Sequence, residues 1–361
     1  MQNDLDVLTL QELVKRARTN LPDSVWDYVS GASETETTMK RNRLGLDRLA
    51  LTPRVLEDVS AVDCSGTMLG RRTRMPVFLA PIGSIQQVHA PGATTGARAA
   101  GSFGIYSFLS SVTDPDMETV AREAPGPKVF QLYVRGDRAW MAEIVRRAMD
   151  SGYDAFCLTV DTAMYSRRER DILKRHVPTG RLRSGGFEFQ AALNWDDVKW
   201  FKDSFDIPLV IKGVATAEDS IVAAEHGVDV VYISNHGGRQ LDHGRGAIDV
   251  LPEVVNALNG RAKVYIDGGF MRGTDIAKAV ALGAEAVGIG RLFVYGLAAW
   301  GEAGVLKALE LLEEEFRIAM GLCGVTAVEQ LDPTFVRPAR AVRAPHVVSA
   351  LPLIDIPTPR Y

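Results

Sequence analysis

Short apolar runs rich in Val, Ile and Phe recur along the chain, and most are separated by stretches with apolar residues three and four apart. The runs are MPVFLAP (75–81), IYSFLS (105–110), KVFQLYV (128–134), AFCLTVD (155–161), PLVIKGV (208–214), VVYISNH (230–236), KVYIDGG (263–269) and AVGIG (286–290). Continuous runs of this length suit strands buried on both faces, as in a parallel sheet. The intervening segments predict helices. DRAWMAEIVRRAMDSG places Trp140, Met141, Ile144, Val145, Ala148 and Met149 on one face, with Gly152 as a stop. TAEDSIVAAEHG opens with Thr216 three residues before Asp219, an acidic form of the capping box, and ends at Gly227. RGTDIAKAVALG repeats the pattern and closes at Gly283.

Eight strands with interleaved helices predict an α/β fold, a TIM (β/α)8 barrel over residues 75–330. An open doubly wound sheet usually has fewer strands. Residues 1–74 read as an N-terminal helical segment packing on the barrel, from TLQELVKRAR and SVWDYVSGA. Residues 331–361 read as an extended C-terminal tail rich in Pro and Arg, an arm that either packs on a neighbouring subunit or frays. Strand spacing is about 25 residues except between the fourth and fifth strands. That interval, 162–207, carries RRERDILKRHVPTGRLRSGGFEF and reads as a long loop over the barrel mouth.

Composition narrows the field. A formal net charge of -4 gives no basic face for nucleic acid. Cys64, Cys157 and Cys323 are too few and too scattered for a disulfide framework or a zinc site, so no metal is expected. Cys157 lies within an apolar strand and is expected to pack as a small hydrophobe. The start, MQNDLDVLTLQELVKRAR, has no apolar core of signal-peptide type, and no uninterrupted apolar stretch reaches the ~18 residues that span a bilayer. The expectation is a soluble cytoplasmic protein without a membrane anchor.

In such a barrel, chemistry gathers at the C-terminal ends of the strands. Those ends supply, in order, Pro81 and Gly83; Ser110; Gln131 and Tyr133; Thr159 and Asp161; Lys212; Ser234, Asn235 and His236; Asp267, Gly268 and Gly269; and Gly290 and Arg291. One polar strand end is an ordinary loop cap, but polar groups at nearly every strand end mark a site. DGG and GIGR follow the last two strands. Their glycines let backbone N–H groups approach an anion and Arg291 adds a guanidinium fork, which points to a phosphorylated ligand. Lys212 has three readings: a Schiff-base lysine, a cation facing a ligand that gains negative charge, or an ion pair with Asp161. His236 is followed by glycine, and Asp161 is placed to orient it and raise its pKa. Arg239 follows three residues later and Arg168 lies in SRRERD. This set suits a general base beside an anionic substrate, a carboxylate or a phosphate. Arg167 and Arg170 are expected to be surface charges.

Taken together, SNHGGRQLD (234–242), FQLYV, LTVDT, RRERD, IKGV and DGG…GR resemble the FMN-dependent L-2-hydroxy acid oxidases and dehydrogenases. That family includes glycolate oxidase, lactate oxidase, mandelate dehydrogenase and hydroxymandelate oxidase. The resemblance covers about residues 5–330. It implies that His236 takes a proton from the substrate as a hydride equivalent passes to flavin N5, and that Asp161 pairs with the imidazolium formed. It implies that Arg168 and Arg239 hold the substrate carboxylate with the hydroxyls of Tyr28 and Tyr133. Lys212 would face the N1/O2 edge of the flavin, which selects the second of its three readings. Pro81, Gly83, Ser110, Gln131, Thr159 and Ser234 would line the flavin ring. Asp267, Gly268, Gly269, Gly290 and Arg291 would hold the ribityl chain and phosphate. Family members are often tetrameric, so a homotetramer is expected. The electron acceptor stays open between dioxygen, a quinone and a cytochrome.

Three positions depart from the family pattern. Met271 stands in DGGFMR where relatives usually carry Arg, and Arg272 is expected to point elsewhere, so FMN is expected to bind less tightly. Val112 stands where short-chain glycolate oxidases have Trp, leaving room for a medium-sized or aromatic side chain such as that of mandelate. The loop after Arg168 is shorter than in most relatives and lacks a long apolar insertion. Two other readings stand beside the leading one: flavin oxidation of a C–N bond or modified peptide, and a non-catalytic flavin-binding module.

Overall fold

The computed structural model describes residues 6–179 and 185–354. Its centre is a closed barrel of eight parallel strands: β1 (Val77–Leu79), β2 (Tyr106–Ser110), β3 (Lys128–Leu132), β4 (Ala155–Thr159), β5 (Leu209–Val214), β6 (Val230–Ile233), β7 (Lys263–Asp267) and β8 (Ala286–Ile289). Each strand pairs with the next, and β8 returns to β1 with Val287 opposite Val77 and Ile289 opposite Leu79. All eight predicted runs are therefore barrel strands. Most stop one to three residues before the predicted run ends, which leaves polar residues beyond the ladder, free to face a ligand.

The barrel interior is packed solid below that rim. Phe78, Tyr106, Phe108, Val129, Cys157, Val210, Tyr232 and Tyr265 form one inward cluster. The Phe78 ring lies 4.6 Å from Phe108 and meets Tyr232 edge-on at 5.3 Å. Cys157 fills this layer as a small apolar group. The surrounding helices follow the predicted caps. Thr216 Oγ1 accepts from Asp219 N–H at 3.1 Å ahead of Ala217–Glu225. Gly152, Gly227 and Gly283 take positive φ after their helices, a conformation that costs glycine little. In Arg138–Asp150, Met141, Val145 and Ala148 are buried, whereas Met149 lies at the edge of the stripe and is exposed.

Two expectations need correcting. The interval 162–207 is not bare loop: it contains Glu169–Leu173, Phe187–Ala192 and Trp195–Ser204. The first two are too short for a periodic signal. The third is capped by a reciprocal Asn194–Asp197 box and buries Val198 and Phe201. Residues 180–184 of the predicted loop lie outside the described residues. The tail, through residue 354, is not a free arm. Val336–Pro338 pairs antiparallel with Leu49–Leu51 of the same chain, and Val348 and Leu351 are buried. Residues 355–361 lie outside the described residues. One helix, Arg291–Leu322, is long and apolar enough to cross a membrane. It is broken at Trp300–Gly301, and most of its apolar stretch is buried within the fold.

Before the barrel come α1 (Leu10–Asn20), α2 (Asp23–Ser30) and α3 (Thr37–Asp47). Helix α3 is bolted to the barrel rim by buried polar contacts. Arg43 makes a two-pronged ion pair with Asp275 at 2.7 and 2.8 Å and donates to Gly269 O at 3.1 Å. Asn42 and Asn235 exchange amide hydrogen bonds at 2.8 and 2.7 Å. Burial by itself would raise the Asp275 pKa, but Arg43 outweighs it and holds the carboxyl below its usual value. Arg43→Leu leaves a buried carboxylate without its partner and is expected to cost about 3–5 kcal/mol. Reversible urea unfolding of the variant measures this.

Candidate active site

The loop after β6 explains the residue choice in SNHGGRQLD. His236, Gly237 and Gly238 have φ of 59°, 66° and 80°, three successive left-handed residues. A Cβ at Gly238 would lie 2.5 Å from Met39 N, so a side chain there collides with α3. The turn is fixed at both ends. Asn235 Oδ1 accepts from Gly238 N–H at 3.1 Å, and Gln240 Nε2 donates to the carbonyls of Asp161 and Met164 at 2.9 Å each. Asp242 accepts from Thr35 N–H (2.9 Å), Thr38 N–H (2.8 Å) and the Thr35 hydroxyl (2.6 Å). Burial alone would raise its pKa, but these donors overcome that and bring it to about 2. A non-glycine, left-handed His236 held this firmly indicates a side chain aimed for use.

The imidazole lies between two partners. Nδ1 is 3.1 and 3.2 Å from the two oxygens of Asp161, and Nε2 is 3.1 Å from the Tyr133 hydroxyl. An ionised carboxylate only accepts, so Nδ1 carries the proton and Nε2 presents its lone pair to the Tyr133 hydroxyl. Burial lowers the His236 pKa, Asp161 raises it, and Lys212 and Arg168 lower it; the net direction is down. Asp161 thus acts in the expected direction but does not win against burial and the neighbouring cations. Asp161 itself is opposed by burial, yet His236 and Lys212 hold it below its ordinary value. Burial also pushes the Tyr133 phenol well up, so it stays a hydroxyl.

Cations crowd the same rim. Arg239 donates to the carbonyls of Tyr28 and Gly31, and its guanidinium lies 4.9 Å from the Tyr28 ring centre. Burial, reinforced by repulsion from Arg168, lowers the Arg239 pKa to about 10. Arg168 lies 4.9 Å over the Tyr165 ring. Arg170, expected as a surface charge, is instead half-buried. It pairs with Glu36 at 2.6 Å and Asp27 at 3.6 Å, tying the segment after β4 to the N-terminal helices. Lys212 Nζ donates to Ser234 Oγ at 3.1 Å, and no carboxylate pairs with it among the described residues. Ser234 and Tyr232 both donate to Asp267 at 2.7 Å.

These groups surround a cavity at the C-terminal end of the barrel. Tyr28, Pro81, Gly83, Tyr133, Arg168, Lys212, His236, Arg239, Asp267, Gly268, Gly269, Gly290 and Arg291 all line it. Ser110, Gln131, Thr159, Asp161 and Ser234 do not line it. Gln131 donates to Thr159 at 2.8 Å, Asp161 and Ser234 brace His236 and Lys212, and Ser110 faces an adjoining cavity. Ile82, Arg135, Thr162, Tyr165, Phe187, Gln240 and Phe270 line the site but were not singled out from the sequence. Gln240 lies inside the SNHGGRQLD motif and was within reach. Tyr165 and Phe187 come from the aperiodic stretch after β4, which gave no signal.

The site accepts a flavin mononucleotide on its own terms. Gly268 and Gly269, with φ of 119° and 83°, line the cavity together with Gly290, where a Cβ would meet only Ile82 at 3.7 Å. They lead to the first turn of helix Arg291–Leu322, where a phosphate is favoured. Met271 is buried in this wall, and Arg272 turns away to Glu315 at 2.7 Å. Met271→Arg is therefore expected to tighten FMN roughly 10- to 150-fold, the worth of one charge-assisted hydrogen bond. Fluorescence titration of the apoprotein reads this directly.

Known proteins agree with this assembly. The model of the family described as FMN-dependent dehydrogenase matches residues 17–184 and 179–338. The chain is 38% identical to glycolate oxidase 3 of Arabidopsis thaliana over 96% of this chain and 100% of the relative. It is 38% identical to an L-lactate oxidase of Nostoc sp. over 91% of this chain and 97% of the relative. A crystal structure of mandelate oxidase with (S)-2-phenylpropionate superposes with a TM-score of 0.86 at 34% identity, covering 92% of this chain and 99% of that one. A soluble mutant of the membrane-associated (S)-mandelate dehydrogenase from Pseudomonas putida gives a TM-score of 0.87 at 34% identity, covering 92% and 100%. A barrel rim that joins a carboxylate-paired histidine and a guanidinium cluster around one cavity, on a sequence matched over nearly its whole length, places this chain in the FMN-dependent dehydrogenase family.

Proposed function

We propose that this protein oxidises an L-2-hydroxy acid to the 2-oxo acid, with His236 as the base. The observation that carries the reading is the Asp161–His236–Tyr133 relay opening into a cavity that also holds Arg168 and Arg239. Bound FMN supplies the two-electron oxidant. The residues do the rest. Arg168 and Arg239 fix the carboxylate, and Tyr28 and Tyr133 add hydroxyl donors. This orientation brings the α-carbon to Nε2 of His236, which removes the proton. Asp161 then faces an imidazolium rather than a neutral ring, so its attraction grows as the reaction proceeds and lowers the barrier. Lys212, Asp267, Gly268, Gly269, Gly290 and Arg291 would hold the cofactor, with Lys212 as its counter-charge. Anaerobic mixing of the holoprotein with a panel of L-2-hydroxy acids tests the reading through loss of flavin absorbance.

The pH dependence follows from the His236 environment. The base must be neutral in the free enzyme, and its pKa lies below the ordinary 6.5. Hence kcat/KM is expected to stay level above pH 6.5 and to fall only in more acid solution. Asp161→Asn removes the one neighbour that raises this pKa. The acid limb should then move to still lower pH, while the rate drops roughly 10- to 150-fold for loss of a charge-assisted bond. A pH series of both proteins checks the direction.

The side chain is proposed to be medium-sized or aromatic. Val112 and Ile82 give apolar walls beside Tyr165 and Phe187. Val112→Trp should shrink this space and shift preference from mandelate toward glycolate by more than tenfold in the ratio of kcat/KM values. A homotetrameric, cytoplasmic enzyme is part of the same proposal, with dioxygen or a quinone as reoxidant. Sedimentation and peroxide detection under air test those points.

A further inference from the structure

Arg135 has no role in the chemistry above, yet its placement is unusual for a cation. It follows β3 immediately after Tyr133 and Val134 and is half-buried. Its guanidinium lies 4.4 Å over the Phe187 ring. The Nε atom is buried and has no hydrogen-bond partner, and Nη1 makes only a 3.4 Å contact to the Val134 carbonyl. No carboxylate forms an ion pair with it among the described residues, Glu188 acting only from longer range, whereas Arg43, Arg138 and Arg147 each have at least one ion-pair partner. Arg135 lines the active-site cavity, and with Val112 and Tyr133 it also lines an adjoining cavity. The adjoining cavity has a mixed lining, with Leu109, Phe130, Leu132 and Ile144 beside Asp114, Asp116 and Arg147, whereas Arg135 meets the active-site cavity next to Val112, Tyr133 and Phe187. Burial lowers its pKa, which shows that the charge is held at some cost in this position. A buried donor left unpaired in a native fold calls for a partner that is not part of the chain.

We propose that Arg135 recognises an anionic group at the far end of the substrate side chain, so that the preferred acids are 2-hydroxy acids with a second, distal carboxylate. Arg168 and Arg239 hold the α-carboxylate next to His236, and Arg135, on the wall of the same cavity, takes the second carboxylate, where a planar fork matches it bidentately. The inference rests on the hydroxy acid reading and deepens it. Arg135 is a specificity-determining residue and not part of the proton relay.

The test compares two substrates of equal shape, 4-carboxymandelate and 4-methylmandelate, by anaerobic flavin reduction in the intact holoprotein. The unaltered protein is expected to favour the carboxylated acid by roughly 10- to 150-fold in kcat/KM, the worth of one charge-assisted contact. Arg135→Met should abolish that ratio, mainly through KM, and Arg135→Lys should restore part of it. A carboxylated acid that is oxidised no better than its methyl counterpart, or a ratio unmoved by Arg135→Met, overturns the proposal. If 4-methylmandelate reduces the flavin in either case, the hydroxy acid reading stands and only the role of Arg135 fails. If neither acid nor any smaller 2-hydroxy acid does so, the underlying reading fails with it.

Discussion

His236→Asn is expected to slow flavin reduction by a 2-hydroxy acid by about 10²- to 10⁴-fold, the usual worth of a positioned general base. Asparagine is small enough for the left-handed backbone at position 236 and tolerates φ near 59°, so the loop should keep its shape. Its amide can still accept from the Tyr133 hydroxyl and donate to Asp161, but it cannot take a proton. The loss should therefore fall on the rate at saturating substrate, with little change in KM. Stopped-flow anaerobic mixing separates the two, and the visible spectrum of the variant verifies that FMN is still bound. A rate within tenfold of the unaltered protein would mean that another group removes the proton. Tyr133 is the only other titratable group touching Nε2 among the described residues, and burial holds it in its neutral form.

The second large effect is expected from the guanidinium clamp. Arg168 and Arg239 are close enough that Arg168 helps depress the Arg239 pKa to about 10, after burial, which is the main cause. Two like charges held this near one another without a bound anion repel, and a substrate carboxylate relieves the repulsion. Removal of either guanidinium is expected to raise KM roughly 10- to 150-fold. The double variant Arg168→Met, Arg239→Met should lose about 10²- to 10⁴-fold in kcat/KM, with some departure from additivity because the two share one ligand. Arg239 also holds the carbonyls of Tyr28 and Gly31, so Arg239→Met alone shifts the N-terminal segment. Arg168→Met lacks that complication, since its side-chain bond to the Arg239 carbonyl is long at 3.4 Å. Steady-state kinetics on both single variants and the double variant measure the effect.

Much of this was legible because barrel strands announce themselves. Buried parallel strands read as unbroken apolar runs, and the residues just beyond each run are the ones that face a ligand. That rule alone pointed to Lys212, His236 and Asp267, and all three line the cavity. Periodicity says nothing about what lies behind a wall, so Ser110, Gln131 and Ser234 looked equivalent to the lining residues although they sit behind it. The N-terminal helices were visible as helices, but their docking was not. Arg43 with Asp275, and Asn42 with Asn235, are separated by about 200 residues, and only the folded chain brings them together. Arg170 looked like a solvated charge within a basic run, and its partners Asp27 and Glu36 also lie far away in sequence. Arg135 escaped notice for the same reason. A lone arginine after a strand has no pattern, and its lack of an ion-pair partner among the described residues is a property of three dimensions.

The most direct test of the account is anaerobic mixing of the holoprotein with L-mandelate while absorbance is followed in the flavin band. The account predicts rapid bleaching in the unaltered protein, slowed by orders of magnitude in His236→Asn with FMN still in place. A yellow protein that no 2-hydroxy acid bleaches, or a His236→Asn variant that bleaches as fast as the parent, would contradict it.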